Sequence, residues 1–251
     1  MSAFTDLTAF AAVPRLTGIR LSPDGTWLAI GVQTVAGEPA KYVSSIWRVD
    51  ATRADARPAR LTRSAEGESG PQFLPDGSLL FTSTRPAAPA ASQGPGGKAG
   101  PGGEGPESPS GAGPAGKKAG ADQPAVWLLP AGGGEARRIA APPGGAGGLS
   151  TARSAAAFAC TTGVLPGAAD AKDDATRRQA RADAGTSAIL HEDGLLLRFW
   201  DHDLGPDSVR LLAAEIPAGD GEPAAADADA GVEPRDLTPG ARRELDEQSF
   251  E

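Results

Sequence analysis

The chain is poor in several residue types that sites and anchors are built from. Its 251 residues include one cysteine, one methionine, one tyrosine and two histidines. The lone Cys160 excludes an internal disulfide framework and suits a reducing compartment. No apolar run approaches the ~18 residues that a membrane span needs. The opening Met1-Ser2-Ala3-Phe4-Thr5-Asp6 has no basic start, and Asp6 interrupts the only apolar candidate, so no secretory signal is read and the chain is expected to be cytoplasmic. Basic residues are the minority, 24 against 32 acidic for a net charge of −8, and they form no stripe, which argues against a nucleic-acid partner. A membrane partner is not expected either.

Glycine and proline are abundant, 34 and 23 residues. Many fall in one block, made almost wholly of Gly, Pro, Ala, Ser and Lys, between Pro86 and Pro124. Such a composition cannot bury a core, so the block is expected to be a disordered insertion. A second insertion, 167–184, is charged and alanine-rich and suits a short exposed helix. A third, 219–231, is acidic and alanine-rich and reads as a loop.

The chain also repeats itself. Leu21-Ser22-Pro23-Asp24-Gly25 leads into the apolar run Thr26–Gly31, and Leu74-Pro75-Asp76-Gly77 leads into Ser78–Ser83. Pro-Asp-Gly makes a tight turn: proline presets φ, aspartate bonds the turn backbone, and glycine takes the positive-φ position. Each run is followed by a third strand, Ser45–Asp50 or Ala125–Pro130, and then by a short strand ending Arg60-Leu61-Thr62 or Arg138-Ile139-Ala140. Val209–Ile216 and Arg235-Asp236-Leu237-Thr238 supply the same pieces a third time, although Leu149–Ser154 stands there in place of the turn and Ala155–Cys160 in place of the strand. Four short strands per unit is the content of a β-propeller blade. The expected fold is therefore all-β, an incomplete propeller of about three four-stranded blades with long disordered loop insertions. Blade 1 spans about 15–63. Blade 2 spans about 70–141 around the 86–124 insertion, and blade 3 about 145–239 around 167–184 and 219–231. Residues 240–251 read as the start of a further blade.

Motifs that could carry chemistry are few. Gly148-Leu149-Ser150-Thr151-Ala152 is the nearest approach to the nucleophile elbow Gly-x-Ser-x-Gly, but it lacks the last glycine and falls in a strand. Asp201-His202-Asp203 has the form of a metal ligand or of a base oriented by a carboxylate. It also suits polar residues closing a hairpin after Trp200, and the structural reading is adopted. His191-Glu192-Asp193-Gly194 ends in a hairpin signal. Gly111-x4-Gly116-Lys117-Lys118 mimics a phosphate loop without the required Ser or Thr, strand or helix. Trp27, Trp47, Trp127 and Trp200 are expected in strands, packed between blades. Arg137-Arg138 and Arg242-Arg243 read as solvated loop charges. No catalytic, cofactor-binding or metal residue is assigned.

Two stretches support a family resemblance. Phe4-Thr5-Asp6-Leu7-Thr8-Ala9-Phe10 followed by Val13–Gly31 resembles the start of the N-terminal propeller of prolyl-oligopeptidase-family serine peptidases of the acylaminoacyl-peptidase and dipeptidyl-peptidase type. Ala188–Glu192, Arg198-Phe199-Trp200-Asp201-His202-Asp203-Leu204-Gly205-Pro206 and Arg235–Pro239 look like a middle blade of the same group. The resemblance implies a propeller that gates access of short peptides or acylated amino acids to an α/β-hydrolase domain. That domain and the remaining blades would be its partners, with no cofactor, and this chain alone would not be catalytic. The alternative is a stand-alone TolB-like propeller acting as a protein-binding scaffold. Three blades cannot close into a ring, so the open faces are expected to make the isolated chain self-associate or depend on further blades.

Overall fold

The computed structural model describes residues 6–36, 41–86, 123–185, 198–199, 202–203, 205–217 and 231–239. A short helix, α1 (Leu7–Ala12), is capped by the Asp6 carboxylate, which accepts the amides of Thr8 and Ala9. The first sheet follows: β1 (Arg15–Leu21), β2 (Trp27–Ala36), β3 (Lys41–Asp50) and β4 (Ala59–Arg60). The second comprises β5 (Ser69–Phe73), β6 (Leu79–Ser83), β7 (Ala125–Leu129) and β8 (Arg137–Ala140). The third opens with β9 (Gly147–Thr151) and β10 (Ala157–Val164). The chain then leaves through α2 (Ala171–Asp183) and a hairpin of β11 (Arg198–Phe199) and β12 (His202–Asp203). It returns as β13 (Ser208–Glu215) and β14 (Arg235–Asp236). The sheets run β1-β2-β3-β4, β5-β6-β7-β8 and β9-β10-β13-β14, antiparallel throughout. Three four-stranded meanders, one after another, make the described molecule an all-β, partial-propeller array.

The two Pro-Asp-Gly turns are built alike but close differently. Asp24 Oδ1 accepts from the Ser22 hydroxyl (2.6 Å) and the Thr26 amide (3.0 Å), and Asp76 accepts from the Ser78 amide and hydroxyl (both 2.9 Å). Gly25 and Gly77 take φ of 73° and 85°, where a side chain would be strained. The first hairpin closes Ser22 N–H on the Trp27 carbonyl, and the second closes Leu74 N–H on Ser78. The first turn is thus one residue longer. Trp27 and Leu79 stand at the same distance after the turn, yet they point to opposite faces, and the counterpart of Leu79 is Leu28. Trp27 packs edge-on against Phe73 of the second sheet, ring centroids 4.7 Å apart.

The third unit, with no Pro-Asp-Gly, also makes its sheet, with β10 running 157–164 rather than the 155–160 read from sequence. The tail of the repeat has a specific task. Leu61 N–H donates to the Ile46 carbonyl while Ile46 N–H donates to Thr62 Oγ1 (2.9 Å). Leu237, Leu211 and Thr238 repeat the arrangement in the third sheet. Each threonine extends its edge strand by one side-chain bond.

The core lies between the sheets. Ala29 and Ile46 of the first sheet meet Leu79, Phe81, Ala125 and Trp127 of the second. Leu80, Val126 and Leu128 on the other face of the second sheet meet Leu149, Phe158, Cys160 and Leu212 of the third. Fully burying a side chain such as Phe81 is worth roughly 1.5–3 kcal/mol. Trp127 is buried between sheets as expected, whereas Trp47 is only half-buried and faces away from the second sheet. Arg137 and Arg138 lie in strand β8 rather than in a loop. Residues 87–122, His191, Trp200, Asp201, Arg242, Arg243 and most of 219–231 lie outside the described residues, as do Gly111 to Lys118.

Candidate functional site

A cavity of about 500 Å3 lies between the outer strands of the second and third sheets. Its floor is Ile139 and Ala140 of β8, Thr162 of β10 and Leu212 of β13. The start of α2 forms one wall, and the segment 231–234 crosses the rim. That segment is tied to the second sheet by Val232 N–H, which donates to the Ile139 carbonyl at 2.7 Å, before it becomes β14 of the third.

The 167–184 insertion forms α2 as its composition suggested, but the helix is docked rather than wholly exposed. Asp170 caps it by accepting the Asp173 amide at 2.8 Å. Asp174, 1% exposed, accepts the Leu165 amide (2.8 Å) and the Arg178 Nε (2.9 Å). Arg178 also donates to the Gly163 carbonyl (2.9 Å) and to Asp207 (2.8 Å). Burial works against the Arg178 charge, but the bonds to Asp174 and Asp207 outweigh it and hold its pKa above the ordinary value.

Several other polar groups of the cavity also bond backbone, although the buried Arg210 Nε has no hydrogen-bond partner. Asp236 accepts the Thr238 amide at 2.7 Å, and Arg210 donates to the Thr238 carbonyl. Thr162 contributes a hydroxyl that donates to the Gly163 carbonyl at 3.4 Å. These carboxylates hold backbone and arginine in place; none is paired with a nucleophile. Sequence reasoning missed Asp174, Arg178, Asp207 and Arg210. The first two are spaced i, i+4 within the charged insertion, a signal that was present but not read.

The residues singled out for chemistry are not brought together. Ser150 is exposed on β9, opposite Ala159 of β10, as a strand residue. Cys160 lies in the core on the other face of the same sheet, and burial pushes its thiol up to about 11. A thiol so protonated is a poor nucleophile. His202 lies in β12, paired with Phe199, which agrees with the hairpin reading of that run. Among the described residues no group of three or more His, Cys, Asp and Glu is placed to hold a metal ion. No described helix is long and apolar enough to cross a membrane.

No family model matches the chain, and no curated protein matches it. Solved structures with a similar course exist. The acylaminoacyl peptidase of Pyrococcus horikoshii aligns with a TM-score of 0.48 at 10% identity, covering 81% of this chain and 23% of that one. A putative TolB from Agrobacterium tumefaciens gives 0.44 at 15%, covering 90% and 49%. The AtxE2 isopeptidase with Astexin3-dC4 bound gives 0.43 at 13%, covering 82% and 30%. This chain thus spans half or less of the length of each. None of these likenesses is close enough to carry an argument about function.

Proposed function

We propose that this chain is the propeller part of a cytoplasmic serine peptidase of the prolyl-oligopeptidase family. In the intact enzyme it would gate and select short peptides or acylated amino acids for a hydrolase domain, and it would not hydrolyse them itself. The observation that carries this reading is the division of labour among its polar groups. Asp24, Asp76, Asp174 and Thr62 all bond backbone or hold an arginine, so among the described residues these polar groups shape the array and offer surface. The runs Phe4–Phe10 and Val13–Gly31 supply the family. Its partners would be the peptide substrate, further blades and the hydrolase domain, with no nucleic acid and no membrane.

One observation favours a second reading, that of a TolB-like scaffold for a partner protein: Leu16, Ile19 and Leu21 of β1 are 64%, 52% and 56% exposed, an apolar stripe suited to protein contact. Two measurements test the proposal, and the second separates the readings. The purified chain, assayed with aminoacyl and acylaminoacyl chromogenic substrates beside a Ser150→Ala control, is expected to show no turnover. The reading frame beyond the codon for Glu251 is expected to continue to Gly-x-Ser-x-Gly. A frame that stops there, with no hydrolase encoded beside it, leaves the scaffold.

A further inference from the structure

The cavity beside the third sheet lies where the second sheet carries a ring. Residues directly paired across an antiparallel sheet share a face, as do residues two apart on one strand. In the second sheet one face bears the row Phe81·Trp127 and, next along the strands, the row Ser83·Ala125. In the third sheet the same places are held by Cys160·Leu212 and Thr162·Arg210. Both faces look toward the preceding sheet: Phe81 and Trp127 meet Ala29 and Ile46, and Cys160 and Leu212 meet Leu80 and Val126. The Trp127 indole reaches along its face to Ser83, whose carbonyl accepts the ring N–H at 3.2 Å. Arg85, two residues past Ser83, lays its guanidinium over that ring, 3.9 Å from the centroid. The third sheet has Leu212 in place of Trp127 and, two residues past Thr162, Val164 in place of Arg85. A leucine and a valine reach less far than an indole and an arginine, so the corresponding space stays open. Thr162, Val164, Arg210 and Leu212 line the cavity of about 500 Å3, with Ile139 of the second sheet.

The two arginines strengthen the correspondence. Arg85 Nε and Arg210 Nε are both buried without a hydrogen-bond partner. Each guanidinium donates instead to one carbonyl beside the outermost strand of its own sheet, Ala136 for Arg85 and Thr238 for Arg210. A guanidinium with few donors engaged gains from lying on a ring face. Arg85 has that ring in Trp127. Among the described residues no ring lies against Arg210.

We infer that the cavity binds a free, uncharged aromatic molecule of the size of an indole, seated over the Thr162·Arg210 row with the Arg210 guanidinium against its ring. The occupant is aromatic because the repeat itself fills the equivalent space with an indole under a guanidinium. An added anion is disfavoured because Asp170, Asp174, Glu233 and Asp236 outnumber Arg138 and Arg210 in the lining. A cation at the place of the ring would meet Arg210 itself. The volume is that of an ordinary small-molecule site. The inference concerns this junction alone and stands or falls apart from the peptidase reading.

Indole itself is the probe, titrated to about 10 mM into the isotope-labelled full chain and followed through amide and arginine Nε–H resonances by NMR. A ring of about nine heavy atoms is expected to bind with a dissociation constant on the order of a millimolar. Ring-current shifts are expected at Ile139, Thr162, Val164 and Leu212 and at the Arg210 Nε–H. Cyclohexanol, of similar bulk but without a π face, is expected to bind about threefold or more weakly. Leu212→Trp returns the missing ring to the chain and is expected to weaken indole binding about tenfold or more. Ala168→Phe, which fills the cavity from the loop before α2, is expected to do the same. Absence of shifts at the cavity residues overturns the inference, and so do shifts confined to the exposed Leu16, Ile19 and Leu21 of β1. Cyclohexanol binding as tightly as indole overturns it too, since the ring would then count for nothing. Indole binding undiminished in the filled variants means that the ring sits elsewhere, which overturns it as well. Far-UV circular dichroism shows whether each variant keeps its strands. Should one fail to fold, the other variant and the wild-type shifts still decide.

Discussion

Between the first and second sheets the packing is aromatic. Trp27 stands edge-on to Phe73, Phe81 and Trp127 fill the row behind them, and the Arg85 guanidinium lies 3.9 Å over the Trp127 ring. Burial lowers the pKa of Arg85, against the attraction of Glu68, whose side chain is 1% exposed. Between the second and third sheets the packing is aliphatic and small: Leu80, Val126 and Cys160 meet there with Leu212, and Phe158 is the one aromatic ring in the cluster. The second junction opens at its outer end into the cavity, and α2 is docked there through Asp174 and Arg178. The same repeat thus makes one tight seam from large rings and one looser seam that needs a helix beside it. Filling space with rings fixes two sheets directly. Filling it with small residues leaves room at the rim that polar bonding must organise.

The largest expected effect compares equivalent positions. Phe81 and Cys160 hold the same place in the second and third sheets, and both are fully buried. Phe81→Ala removes a ring from the aromatic seam and is expected to cost about 3–5 kcal/mol in urea unfolding. Cys160→Ala removes one atom from the small seam and should cost about 1 kcal/mol. Equal losses at the two positions would mean that the seams do not differ in the way their side chains suggest. The comparison belongs at one protein concentration, since association would shift both midpoints.

Much of this was legible beforehand, and the reasons are local. Pro-Asp-Gly encodes its own turn, and the apolar runs after it encode strands, so the existence of the sheets followed from short segments. The tail threonines were visible as a repeated phrase, although their bonds to Ile46 and Leu211 were not. What sequence spacing could not reveal was the slip at the first turn. Trp27 and Leu79 align by eye, yet one extra residue in the closed hairpin turns them to opposite faces. A single-residue shift reverses every side chain in a strand. Helix α2 illustrates another gap. Its charge and alanine content suggested a helix, and the i, i+4 spacing of Asp174 and Arg178 was there to read, but that Asp174 would be buried depended on the Leu165 amide at the exit of β10 turning back onto its carboxylate, which spacing alone does not reveal.

A middle-sized effect tests the looser seam. Asp174 is the buried link between the strand β10 exit and α2, holding the Leu165 amide and Arg178. Asp174→Ala leaves that amide without its acceptor and deprives Arg178 of one of its two carboxylates. About 3 kcal/mol is the expected loss. Hydrogen exchange should show it concentrated in α2 and β10, with β2 and β3 protected as before. Uniform loss of protection across all three sheets would mean that the helix is not a local brace.

The smallest effect probes the first turn by pH. Asp24 is fully exposed, and its pKa lies below the ordinary 3.8, chiefly because the Ser22 hydroxyl bonds its carboxylate, with the Thr26 amide and hydroxyl adding to this. The carboxylate is favoured in the folded state, so its contribution is complete above the unfolded value. It is lost as pH falls through the lower, folded one. Asp24→Asn should therefore be less stable than wild type at neutral pH, and the gap should narrow only below about pH 4, where the unfolded aspartate takes up its proton first. Urea midpoints of both proteins from about pH 7 to about pH 2.5 measure that gap. A gap of constant size through the acid limb would mean that the turn is held by the shape of the Ser22–Asp24–Thr26 arrangement and not by its charge. Replacing Ser22 by alanine sharpens the result. With the leading hydrogen bond gone, the folded pKa should rise toward 3.8, and the acid limb of the Ser22→Ala protein should run closer to that of Asp24→Asn.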